Sequence, residues 1–125
     1  MDAGKIYNSW PLMGDTYFPN DNNINNLFEF AALSDPSLVQ FIHRNLAYFI
    51  GIFYILIFYK VYRNKMYDLY KSINYLGIFI ILQIILGIFT VLYGAQIYVA
   101  SMHQISSIFL VSSSIYFFYL NTKFN

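Results

Sequence analysis

The sequence contains two histidines, and their types and placement carry whatever chemistry this chain offers. His43 stands seven residues beyond a helix-start signal at Pro36, and His103 stands six beyond Ile97, where a later apolar run begins. An ionisable residue inside an apolar span marks a functional site by default. Two neutral imidazoles at matched depth on neighbouring helices can grip a heme iron from its two axial sides. The residues sharing each histidine's helical face leave room for such a group. Ala47, Gly51, Tyr54 and Phe58 follow His43, while Ala100, Ser106, Ser107, Leu110 and Ser114 accompany His103. The same small residues let helices approach closely with no ligand between them. Arg44 suits an anionic substituent such as a propionate, or equally an anchor that snorkels outward to the headgroup layer. The spans hold no Ser-His-Asp set, phosphate loop or paired carboxylate, so no catalytic side chain is assigned. With no Cys in the chain, disulfides, thiolate metal ligands and iron–sulfur clusters are excluded.

The elements that must position these residues are apolar helices. From Ser72 to Thr122 the chain runs 51 residues without Asp, Glu, Lys or Arg. A membrane span needs about 20 apolar residues, so this run accommodates two crossings, with Tyr93-Gly94-Ala95-Gln96 as the place to reverse. An earlier span begins where Asp35 caps and Pro36 occupies the first helical position. Only 10% of the chain is charged, against about 25% in soluble domains. The expected class is therefore an all-α membrane protein with three transmembrane helices. They cover 36–62, 72–92 and 97–120, joined by a basic loop at 63–71 and a turn at 93–96, and followed by a tail at 121–125. Span two carries a polar and small stripe, Gln83, Gly87, Thr90 and Gly94, able to pack against the histidine pair or hydrogen-bond across it.

Residues 1–35 are polar and rich in turn formers, with a short interfacial helix expected over Leu27–Leu33. Trp10, Tyr17 and Phe18 suit the headgroup layer. Lys60, Arg63, Lys65 and Lys71 mark the cytoplasmic or matrix side by the positive-inside rule. Residues 1–37, with one Lys and five acids, are expected outside and the C-terminus inside. An N-terminal segment left outside calls for a preceding helix to carry it across. Seven basic against six acidic residues leave no cationic patch for nucleic acid.

Several stretches taken together resemble the C-terminal half of heme A synthase of the alphaproteobacterial and mitochondrial type. They are Asp2-Ala3-Gly4, Asn8-Ser9-Trp10-Pro11-Leu12-Met13-Gly14, Gln40-Phe41-Ile42-His43-Arg44, Gln83 to Thr90, and His103-Gln104. The resemblance covers essentially the whole chain, with the Asp-Ala-Gly and Asn-Ser-x-Pro-x-Met-Gly loop as its most specific part. It implies an eight-helix inner-membrane enzyme of two four-helix halves that oxidises a methyl group of heme O to the formyl group of heme A. It further implies that His43 and His103 are the axial metal ligands of a heme b, with Arg44 and Gln40 beside it. The catalytic half of that family carries Glu-x-x-His-Arg where this chain has Gln40-x-x-His43-Arg44, and a neutral amide cannot take a proton as a carboxylate can. This half is therefore expected to hold the accessory heme and to be inactive without the other. The implied partners are the remaining helices or a second copy of the chain, membrane lipid and heme O synthase. The implied location is a bacterial plasma membrane or the mitochondrial inner membrane. Two other readings stay open on the residues alone. One is a heme b anchor subunit of the succinate dehydrogenase type, although its second ligand belongs in the second helix, where this chain has no His. The other is a cofactor-free membrane assembly protein.

Overall fold

A computed structural model describes residues 3–124. Asp2 of the first motif, like Met1 and Asn125, lies outside them. Three long helices dominate: α1 (Pro36–Arg63), α2 (Tyr70–Leu92) and α3 (Ile97–Phe124). All three are long and apolar enough to cross a membrane. At about 1.5 Å per residue, the 28 residues of α1 extend some 42 Å.

The ends of the helices have identifiable causes. Asp35 caps α1, its carboxylate accepting from the Leu38 amide at 3.0 Å, and Pro36 opens the first turn. At the other end of α1, Lys65 N–H donates to Tyr62 O and Met66 N–H to Val61 O. That pair of bonds forms a Schellman motif with Lys65 in the left-handed conformation, φ 53°. The end of α2 repeats it: Gly94 N–H donates to Val91 O and Ala95 N–H to Thr90 O, with Gly94 at φ 61°. The turn expected at 93–96 is thus a two-bond cap. α2 starts earlier than the 72 expected, and α3 runs past 120 through Lys123, a cation favoured near a helix C-terminus.

Over the stretch where a short interfacial helix is expected, Leu27–Leu33, the structure has two short 3-10 helices, Ile24–Phe28 and Phe30–Leu33, that meet at an extended Glu29. They leave Phe28 and Phe30 almost fully exposed.

The core lies at the end of the bundle that carries the basic loop. Val61, Leu69, Ile73, Leu76 and Ile80 are buried together, with Tyr54, Phe58, Leu110 and Phe117 packed against them. Gly77 lets Tyr54 cross α2 there. A Cβ at Gly77 would stand 2.0 Å from the Tyr54 hydroxyl, which donates to Ile73 O at 3.2 Å. At the opposite end, where the 93–96 turn joins α2 to α3, the N-terminal loop lies against that turn and is bonded to α1.

Candidate functional site

The loop is held by two side chains from the first turns of α1. Gln40 is buried, and its amide meets both backbone groups of Tyr7. Nε2 donates to Tyr7 O at 3.0 Å, and Oε1 accepts from Tyr7 N–H at 3.3 Å. One helical turn on, Arg44 donates from Nη2 to Tyr7 O at 3.0 Å and from Nη1 to Leu12 O at 3.1 Å. Arg44 is only 8% exposed, and its Nε–H is buried with no partner. The guanidinium therefore does not snorkel outward; the loop carbonyls draw it beneath the chain instead.

The glycines and polar residues of the loop motifs explain how it sits there. The Ser9 hydroxyl donates to Leu12 O at 2.9 Å and accepts from Gly14 N–H at 2.9 Å, and Met13 is buried. Gly14 turns at φ 72°. Gly4 seats against Ala95, where an added Cβ would stand 3.0 Å from that of Ala95, and Asn8 lies against Gly94. Tyr17 donates to Asn45 at 2.5 Å, and Trp10 Nε1–H donates to Tyr48 at 3.1 Å. Asp21 accepts from the Tyr7 hydroxyl at 2.9 Å and the Ser37 hydroxyl at 2.6 Å. The Ser37 bond, first among the causes, holds the Asp21 carboxyl below the usual carboxylate range.

Beneath this loop the two histidines face each other. Their ring centroids are 6.3 Å apart and the planes are inclined at 82°. His103 is fixed from α2. Gln83 Nε2 donates to His103 O at 3.1 Å, while its Oε1 accepts from the buried Ser106 hydroxyl, which also reaches His103 O. Gly87 leaves room for the ring, since a Cβ there would stand 3.2 Å from His103 Cε1. His103 Nδ1 is buried and without a partner. His43 is exposed on the open side of the bundle.

His43, His103, Gln40 and Arg44 all line one cavity of about 450 Å³, with Gly87 and Gln83 on its α2 wall and Gly4 and Trp10 from the loop. That volume is in the range of small-molecule and cofactor sites, about 300–1,000 Å³. The structure thus brings all four sequence-derived candidates together. It adds two that the sequence presented only as part of a stripe: Gln83, which orients His103, and Gly87, which makes space for it.

Two imidazoles that shared one metal through bonds of about 2.0–2.1 Å would stand with their ring centres roughly 6 Å apart, a separation that the observed 6.3 Å between centroids allows. Among the described residues no cluster of three or more His, Cys, Asp or Glu could hold a bare ion. Two imidazoles can hold an ion that brings further ligands of its own, as a heme iron would.

The sequence matches the family described as "Cytochrome oxidase assembly protein" over residues 1–115. It is 40% identical over 123 residues to a heme A synthase of Pelagibacter ubique, covering 98% of this chain and 36% of the relative. A heme A synthase of Rickettsia felis is 38% identical over 120 residues, covering 96% of this chain and 35% of the relative. One of Rickettsia bellii is 41% identical over 112 residues, covering 90% and 33%. The chain spans about a third of the length of the curated relatives it matches. No solved structure matches it.

Proposed function

This chain belongs to the cytochrome oxidase assembly protein family, and from that membership we propose that it is the C-terminal, heme b-binding part of a heme A synthase. The observation that carries the proposal is the His43–His103 pair, 6.3 Å between centroids across a cavity large enough for a cofactor. In this reading His43 and His103 hold the iron. Gln83 and Ser106 keep the His103 backbone and ring in place, and Gly87 keeps the space beside it clear. The partnerless Arg44 Nε–H provides a charged donor for an anionic substituent of the heme. Gln40 and Arg44 together hold the loop over the cavity, limiting water. When bound, the heme supplies one-electron redox chemistry at its iron.

The same reading gives this part an accessory role. Gln40 spends both ends of its amide on Tyr7, and an amide takes no proton at neutral pH. Oxidation of the heme O methyl group then belongs to helices beyond these three, and this chain by itself makes no heme A. Its partners are those helices or a second copy of the chain, with heme O synthase as the source of substrate. It sits in a bacterial plasma membrane or mitochondrial inner membrane with the basic 63–71 loop inside and the N-terminal loop outside.

Absorption spectra of the chain purified from heme-replete cells test the assignment. The expected result is a low-spin spectrum of the bis-histidine type, abolished in both His43→Ala and His103→Ala. Retention of an unchanged spectrum by either variant overturns the pairing.

A further inference from the structure

The end of the bundle remote from the histidines holds a second cavity, of about 460 Å³, between the C-terminal ends of α1 and α3. From its composition we infer that it binds one anionic phospholipid, phosphate against Lys60 and Asn64 and acyl chain against Ile57, Val61 and Phe117. The lining is mixed: those three apolar side chains adjoin Lys60, Asn64 and Asn121. A free phosphate would leave the apolar wall unused, and an uncharged lipid would leave the ammonium uncompensated. A phosphodiester joined to an acyl chain satisfies both.

Lys60 and Asn64 are available for this role. The last carbonyls of α1 are already closed by backbone donors, Asn64 N–H to Lys60 O and Met66 N–H to Val61 O, both at 3.0 Å. Neither the Lys60 ammonium nor the Asn64 side-chain amide therefore serves as a cap. The surroundings add to the attraction. Residues 60–71 hold four cations against the single acid Asp68, which outweighs the roughly half negative charge at a helix C-terminus. Basic pockets between spans at this membrane face are suited to anionic headgroups. The inference is independent of any cofactor at the histidines.

The test is reconstitution of the full chain into nanodiscs of phosphatidylcholine with or without phosphatidylglycerol, followed by native mass spectrometry of the lipid retained. Wild type is expected to keep a single phosphatidylglycerol in preference to phosphatidylcholine. Lys60→Gln, which preserves the apolar stem, should lower that retention about fivefold, the effect of one near-surface cation. Lys71→Gln removes the same charge outside the cavity and should lower retention much less than Lys60→Gln does. Ile57→Trp fills the cavity without altering charge and should also abolish retention, so the outcome does not hang on one variant. Equal losses for Lys60→Gln and Lys71→Gln would reveal diffuse surface attraction and overturn a defined site. So would the absence of any preference in wild type, or loss of the lipid when the remaining helices of the enzyme are co-purified and occupy the cavity.

Discussion

The two histidines differ in how they are held, and the difference sets what each can tolerate. His103 is enclosed by Gln83, Ser106 and Gly87, whereas His43 stands exposed on α1. A methyl group at Gly87 would come within 3.2 Å of the imidazole, so the ring must turn by a few tenths of an ångström away from its present position. Pushing a side chain off its rotamer costs of order 0.5–1.5 kcal/mol. Gly87→Ala should therefore weaken heme retention about fivefold while the chain stays helical, measured by heme titration alongside circular dichroism; unchanged affinity would show that the ring is not confined by α2. At Gln40 the geometry sets a different demand, because Tyr7 presents one donor and one acceptor together. Gln40→Leu leaves the Tyr7 N–H without a partner and the Tyr7 carbonyl with Arg44 alone, at about 1–3 kcal/mol for a buried polar group. The loop amides of Tyr7 to Met13 should then exchange hydrogen about 5–100-fold faster, with the exchange of α2 unaffected.

The helices were legible where a local signal decides the conformation. Asp35-Pro36 starts α1 and the charge-free run contains α2 and α3, because capping and hydropathy act through neighbours in sequence. The loop was not legible, since what shapes it is the capture of Tyr7 and Leu12 carbonyls by Arg44 from more than 30 residues away. Backbone carbonyls leave no signature in residue types. For the same reason the residue types alone left Arg44 open between a partner for an anionic substituent and an outward anchor. That the two histidines lie near one another was legible from depth, but the contact of Gln83 with His103 needed the register between α2 and α3. The ends of the helices also expose a local conflict. Lys65 occupies the left-handed C′ position of α1, φ 53°, where a side chain costs about 1–2 kcal/mol that glycine avoids. Lys65→Gly should stabilise the chain by about 1 kcal/mol, less the entropy glycine loses on folding, read as a higher unfolding midpoint in detergent. A lower midpoint would mean that the lysine makes contacts outweighing the backbone strain.

At the scale of the molecule, the bundle is closed at one end by packing and at the other by a strap. The Val61, Leu69, Ile73 cluster fastens the helices near the basic loop, while near the histidines the N-terminal loop bridges α1 to the α2–α3 turn through Gly4, Asn8, Gln40 and Arg44. Much of the outer surface of all three helices is apolar and exposed, so lipid or companion helices must complete the fold around the open side of His43. The strap is the part whose stability responds to pH, because Asp21 ties Tyr7 to Ser37 at the base of α1. Its carboxyl pKa is lowered in the folded loop, chiefly by the Ser37 hydroxyl, so the tie is fully present above the ordinary Asp value near 3.9. It is lost as pH falls through the lower folded value, where the acid takes up a proton. Trp10, the only tryptophan and a loop residue bonded to Tyr48, reports this directly. Its fluorescence should be flat from about pH 7 to pH 5 and change below about pH 4, with helix content retained because the core contains no acid. Asp21→Asn should remove the acid step from the Trp10 signal. A step of undiminished size in that variant would assign the response to another carboxylate and release Asp21 from its role in holding the strap.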